Sequence, residues 1–341
     1  MATEDSPQAT QQRALPDLLE QAINAREPLF DPARQSALRL FNGFSEGCPQ
    51  LLIDLYGRTV VFNDYSTQGV PDDPLVGQAA DTVRARLPWL RAGVVKVRKS
   101  SLADERNGKL LFGEEPDLRI RENGTWYAVD LTLSRDAGFY IDTRNLRLWA
   151  SRALAGKTVL NAFAYTGSLG VAAAAGGARR VVQLDRNTRY LDLARQSYLL
   201  NGLPIAEEDF MRGDFFRQAG TFRRQDRRFD CVFLDPPFFA AGPAGSVDQV
   251  NESARLINKA RPLVEDGGYL VAINNALYVS GADYLATLEG LATEGYLRVE
   301  EIVPVPEDCT GYWTGDQAAW MADPAPFNHP TKIVVLKLRR K

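Results

Sequence analysis

The chain has 341 residues, 45% hydrophobic and 24% charged, the texture of a soluble globular protein of about two domains. A formal net charge of −3 and a pI near 5.5 exclude a global basic footprint, so any nucleic-acid contact must use local patches. No signal peptide or long apolar span is visible, and Cys48, Cys231 and Cys309 lie too far apart in sequence for a metal pattern; a reduced cytoplasmic setting, no membrane and no metal are expected.

Residues 1 to about 12 are polar and read as a disordered tail. Leu15, Leu18, Leu19, Ala22 and Ile23 then recur at helical spacing, and Pro28 and Pro32 mark a linker. This sets off residues 1–35 as a tail and helix. Residues 36–133 read as a small α+β domain. Short strands are expected at Leu38–Phe41, Leu51–Leu55, Thr59–Tyr65, Val94–Arg98, Lys109–Phe112, Leu118–Arg121 and Trp126–Leu131, with a helix over Ala79–Leu87. Three basic clusters are candidate patches: Arg91, Lys96, Arg98 and Lys99; Arg223, Arg224, Arg227 and Arg228; and the tail from Lys337 to Lys341. The leading reading of each cluster, taken singly, is a solvated face.

Residues 134–341 form the second domain. A helix follows Ile141, capped by Asp142 or Thr143, with Arg144 in its first turn. The helix dipole disfavours a cation there, so Arg144 either holds a ligand carboxylate or makes a plain salt bridge. Strand 158–162, helix 168–175, strand 180–184 and helix 188–200 make a βαβ unit, with the turn Tyr165-Thr166-Gly167-Ser168 between the first two. Thr166 or Ser168 is available to cap that helix. Asp185 closes the second strand about twenty residues past the glycine turn, where an acid meets ribose hydroxyls. Asn161, Ala162, Phe163 and Ala164 leave too few glycines for a pyrophosphate cradle, which disfavours a dinucleotide. S-adenosylmethionine (SAM) carries ribose, adenine and an amino acid but no phosphate, and one sharp turn suffices for it. Further strands are expected to end at Asp214 and over 229–234, Tyr269–Ile273, Val299–Val305 and Thr331–Leu338; the alternation implies a parallel sheet.

The fourth of these strands ends in Asp235-Pro236-Pro237-Phe238. Two prolines cannot extend a ladder, and they stiffen the chain where open α/β sheets bind ligands. This segment resembles motif IV of class I methyltransferases, which implies that Asp235 and the Pro236 carbonyl hold a nitrogen nucleophile while Phe238 stacks on a base. From about Leu38 onward the chain resembles the bacterial and archaeal 23S rRNA cytosine-C5 methyltransferases. The carrying segments are Asn42 to Gly47 with Asp54 to Gly57, Gly138 to Arg144, Leu160 to Gly167, Asp185, Asp214, Asp235 to Pro237, and Asn328 to Lys332. The resemblance implies a Rossmann-like α/β fold with a seven-stranded sheet. It implies a SAM site drawn from Arg144, Asn161, Phe163, Tyr165, Thr166, Gly167, Asp185, Arg186, Asp214, Phe215 and Asp235. Asp214-Phe215 would meet the adenine amine and ring, although Asp214 is equally placed to cap a helix.

Two departures stand out. Members of that group usually begin with a PUA module, and only one helix and a polar tail precede Leu38 here. Cytosine-C5 chemistry also needs a cysteine thiolate after the fifth strand. That stretch reads Ala272-Ile273-Asn274-Asn275-Ala276, with asparagine at the expected position. Cys309, after the sixth strand, is the candidate substitute. Amine methylation needs no thiolate, only acceptors and alignment. Pro237, Phe238, Asn274 and Asn275 would then contact the base, unless the two asparagines are merely a turn. His329, the only histidine, is expected to order its loop beside Trp313 and Trp320. RNA, with rRNA foremost, is the expected substrate, and a homodimer is compatible with the sequence. A small-molecule or protein methyltransferase and a non-catalytic SAM-binding protein are the competing readings.

Overall fold

The computed structural model describes residues 14–66, 73–242, 245–293, 295–312 and 322–340. The expected polar tail, Trp313, Trp320 and Lys341 lie outside these described residues.

A five-stranded sheet forms the N-terminal part, in the spatial order Ala37–Asn42, Leu51–Tyr56, Thr59–Asp64, Ala92–Val97 and Lys109–Gly113. Its only parallel pair, Thr59–Asp64 with Ala92–Val97, is joined through the helix Pro74–Arg86. That helix begins five residues before the apolar spacing suggests, because Asp73 caps it and Pro74 occupies its first turn. The helix Leu15–Arg26 packs beside it, so Leu19, Ile23, Phe41, Phe62, Ala79 and Val83 share one core. The N-terminal helix, grouped with the polar tail in the sequence, packs into this layer. The hairpin Arg119–Ala128 leans the other way. Ala128 N–H donates to Ser197 Oγ, and Asn201 bonds both backbone groups of Trp126, so the hairpin rides on the helix Thr188–Leu200.

The large sheet has seven strands: β1 (Thr158–Ala162), β2 (Arg180–Asp185), β3 (Phe210–Arg212), β4 (Phe229–Leu234), β5 (Val264–Asn274), β6 (Leu297–Ile302) and β7 (Lys332–Leu338). Their order is β3-β2-β1-β4-β5-β7-β6. The first five are parallel, and their apolar runs are buried on both faces, as a helix-covered parallel sheet requires. The sheet is not wholly parallel: β7 slots between β5 and β6 and runs against both. Within the described residues the β6–β7 connection has only a four-residue helix, Glu307–Thr310, and no crossover helix, so the two strands meet antiparallel. The sheet order reverses direction at β1 and β4, and the loops leaving their carboxyl ends enclose a crevice.

A buried ionic seam joins the two sheets. Asp308, on the β6–β7 connection, takes both guanidinium nitrogens of Arg144 at 2.8 and 2.9 Å and the Arg39 backbone N–H at 2.9 Å. Arg147 forks onto Glu122, and Arg26 forks onto Glu46 while also reaching the Asp308 carbonyl. Arg144 is thus committed to Asp308, with Glu122 3.6 Å away, rather than to a ligand carboxylate. Burial alone would raise the Asp308 carboxyl, but Arg144 and the Arg39 amide hold it below the ordinary range. Its stabilising charge is therefore present above the unfolded pKa of about 3.9 and is lost as pH falls through the lower folded value. Asp308→Ala should lower unfolding free energy by about 3 kcal/mol in urea titration at pH 7, because it strands Arg144. The deficit should shrink as pH falls below the ordinary carboxylate range.

Candidate active site

The crevice begins with a turn that most residues resist. Phe163, Tyr165 and Gly167 all adopt left-handed backbone, with φ of 56°, 51° and 80°. For Phe and Tyr that conformation costs about 1–3 kcal/mol each. Asp185 at the end of β2 offsets it: one carboxylate oxygen accepts Tyr165 N–H at 2.8 Å and the other accepts Asn187 N–H at 2.8 Å. Asn161 donates to Gln183, whose amide reaches back to the Gly167 carbonyl, tying β1 to β2 beneath the turn. A Cβ on Gly167 would stand 2.6 Å from the Ala194 methyl. Thr166 donates its hydroxyl to the Gly138 carbonyl, and Gly167 itself occupies the cap position of the helix Ser168–Ala175 without a side-chain cap. Asn161, Thr166 and Gly167 therefore shape the site from behind; none of them lines the cavity.

The cavity encloses about 390 Å³, within the usual range for a small-ligand site. One end is aromatic, where Phe163 and Phe215 have ring centroids 5.0 Å apart. Asp214 closes that end. It does cap the helix Phe215–Arg224, but both capping N–H groups fall on its Oδ1. Asp185 and Arg186 form the adjoining wall, and Tyr140, Tyr165 and Tyr190 stack in series along the next.

The other end is acidic. Asp235, Pro236 and Pro237 line it together with Asp142 and Thr331. Thr331 donates its hydroxyl to Asp142 at 2.9 Å. Burial, and secondarily the charge of Asp142, push the Asp235 carboxyl up to about 7. Asn275 lines the cavity as expected, and its Oδ1 is shielded with no hydrogen-bond partner. Asn274 turns away: its amide donates to the Gln249 carbonyl and to Ser253 Oγ, and its oxygen accepts Ala276 N–H, so it is a buried turn residue.

Gln249 organises this end, although nothing in its sequence neighbourhood announced it. Its amide N–H groups donate to the Pro236 carbonyl and, at 3.4 Å, to that of Pro237, while its oxygen accepts Asn275 N–H at 2.9 Å. The Pro236 carbonyl, expected to hold a substrate amine, already has this partner. Phe238 is 44% exposed and stands outside the cavity, not stacked within it. Lys332 donates to the Ala276 and Pro330 carbonyls, fixing the loop after β5 from below. His329 accepts Thr331 N–H at 3.0 Å, and burial lowers its pKa to about 4, which keeps the ring neutral and suits the loop-ordering role. Cys309 and Cys231 are fully buried and Cys48 nearly so; burial pushes all three thiols up, and none lines the cavity.

The residues fit SAM. The Phe163–Phe215 slot with Asp214 suits adenine, Asp185 suits ribose hydroxyls, and the carboxylates Asp142 and Asp235 suit an ammonium and a sulfonium. A Rossmann-like sheet of this order with such a cavity at its switch point defines a class I methyltransferase. The chain belongs to the S-adenosylmethionine-dependent methyltransferase family, whose family model matches residues 96–309. It is 34% identical over 255 residues to the ribosomal RNA large subunit methyltransferase I of Aeromonas salmonicida (strain A449), and 31% identical over 258 residues to that of Escherichia coli O139:H28. These matches cover 74% and 75% of this chain but only 64% and 65% of the relatives. The fold is similar to that of SMU.776, described as a methyltransferase complexed with SAH, with a TM-score of 0.79 at 24% identity over 95% of this chain and 80% of the other.

Asp185→Ala should weaken SAM binding at least tenfold in calorimetry, because it removes both the ribose acceptor and the anchor of the Phe163–Gly167 turn. Asp185→Asn should lose less, since the amide keeps one acceptor oxygen. The charge of Asp235 has its own signature. Because its pKa is raised, the ionised form is present above about pH 7 and is lost below it. The kcat/KM for SAM, which reports the free enzyme, should therefore fall as pH drops through about 7.

Proposed function

We propose that this chain methylates an RNA base, with rRNA as the substrate class, at an exocyclic amine. The relatives named above, both called ribosomal RNA large subunit methyltransferase I, support the RNA assignment. The observation that carries the amine is the make-up of the acidic end: the acids Asp142 and Asp235 line the cavity, and no thiol does. Bound SAM supplies a methyl group on a positively charged sulfur. The chain's own residues prepare the acceptor. Asp235 accepts an N–H of the amine, which turns the nitrogen lone pair toward the methyl, and takes the proton released when the N–C bond forms. Gln249 fixes Pro236 and Asn275 together, so that the loop carrying Asp235 is set before the substrate enters. A base within a helix has to be flipped out to reach this depth.

The alternative is cytosine-C5 transfer through a displaced cysteine. It asks Cys309 to act from full burial with its thiol held protonated, while hydrogen bonds on its backbone fix it against Asn42. Fluorinated RNA separates the two, since a thiolate adduct to 5-fluorocytosine cannot eliminate. No covalent adduct should form, and Cys309→Ser should keep wild-type turnover. An adduct lost in Cys309→Ser would establish the C5 route and overturn the amine assignment. Asp235→Ala should abolish transfer from labelled SAM, while SAM still binds, more weakly, through the remaining cavity residues. Mass spectrometry of rRNA nucleosides from a deletion strain would identify the methylated atom.

A further inference from the structure

Large apolar side chains are normally scattered singly on a protein surface. Here four crowd two neighbouring loops. Phe238 and Phe239 follow β4, with 44% and 63% exposure, and Leu277 and Tyr278 follow β5, with 46% and 65%. β4 and β5 are paired in register, Leu234 opposite Ala272, so both loops leave the same edge of the sheet side by side. Gln249 grips both, on Pro236 and on Asn275, and Lys332 holds the second at Ala276. The aromatic surface is therefore prearranged at the lip of the cavity. The acids of the adjacent hairpin are turned elsewhere, Asp248 to Asn251 and Glu252 to Arg255.

The opposite lip is basic. Arg186 and Arg189 follow β2, Arg212 ends β3, and Arg217 opens the next helix. All four are exposed. None forms a salt bridge among the described residues, whereas Arg180 and Arg195 of the same region pair with Asp209 and with Asp192 and Glu207. Arg189 and Arg217 stand in first turns, where the helix dipole disfavours a cation, and no described contact of the fold uses their charge. The sequence clusters that looked most basic lie elsewhere. Arg223 to Arg228 sit at the far end of the helix Phe215–Arg224, and the tail after Lys337 runs to the amino end of β5, where Arg340 N–H donates to Asp266, so both occupy the edge remote from the cavity. Lys96 is buried, its ammonium donating to the Ser134 and Asn107 carbonyls.

We infer that the cavity mouth is a binding surface for unpaired RNA flanking the target nucleotide, with bases stacked on Phe238, Phe239 and Tyr278. Arg186, Arg189, Arg212 and Arg217 hold the phosphates across the opening. The inference rests on the RNA-base reading above and adds that the enzyme selects a single-stranded segment. Aromatic faces stack on any base but only when the base is out of a helix, and a polyanion matches the arginine lip in a chain of net charge −3.

The test uses the full chain and a fluorescein-labelled RNA of about 20 nucleotides, presented single-stranded or annealed to its complement. The single strand should bind at least about tenfold more tightly than the duplex. The double variant Phe239→Ala, Tyr278→Ala should weaken single-strand binding about tenfold or more, with SAM affinity and far-ultraviolet circular dichroism unchanged. Arg189→Glu with Arg217→Glu should flatten the dependence of log K on log salt by about two. Equal binding of duplex and single strand, unchanged affinity in the aromatic variant, or no RNA binding at low salt would each overturn the inference. Transfer from labelled SAM to total rRNA separates it from the functional reading. If rRNA is methylated with wild-type KM by the aromatic variant, the surface is wrong and the function stands. If the platform binds RNA as expected but methyl appears only in protein or small molecules, the function is wrong and the surface stands.

Discussion

The site depends on a backbone held where backbone does not rest. Phe163, Tyr165 and Gly167 are all left-handed within five residues, and only the last is glycine. Such a turn persists when its surroundings over-determine it. Here Asp185 accepts an N–H from within the turn and another from the start of the next helix, while Asn161 and Gln183 brace it from below. The result places two aromatic rings, Phe163 and Tyr165, on the cavity wall. Asp185 thus braces the scaffold with the same carboxylate that lines the cavity.

The acidic end works on a different principle, the concentration of negative charge in a poorly hydrated pocket. Asp142 and Asp235 come from segments nearly a hundred residues apart, and the charge of Asp142 adds to burial in making Asp235 harder to ionise. A cationic ligand relieves that cost, which suits a site for a sulfonium and an ammonium. Gln249 then fixes the distance between the Pro236 and Asn275 backbones, so the acceptor geometry is set by a residue that itself faces away from the cavity.

The small domain contributes to the site without touching it. Its first strand and helix grip the β6–β7 connection through Arg26, Arg39 and Asn42. That connection carries Asp308, which takes up Arg144, the residue immediately after the cavity-lining pair Asp142 and Thr143. The ionic seam therefore positions the acidic end from behind, and truncating it should loosen the cavity rather than merely the domain contact.

Much of this was legible in the chain. The strands 158–162 and 229–234 and the helices 168–175 and 188–200 coincide with the observed elements, because continuous apolar runs and period-3.6 spacing are local properties. The family resemblance likewise pointed to Phe163, Tyr165, Asp185, Arg186, Asp214, Phe215, Asp235 and Asn275, which all line one cavity. What the sequence left open were choices between partners. Arg144 could meet a ligand or an acid, and folding brought it Asp308, 164 residues away. Asn274 and Asn275 were equivalent as letters, and the end of β5 turned one into the core and the other into the cavity. Gln249 had no signal at all, since its role exists only where two loops converge. A local pattern specifies an element, but a side chain's partner is a long-range contact, and only tertiary structure decides which of several chemically adequate groups arrives within 3 Å.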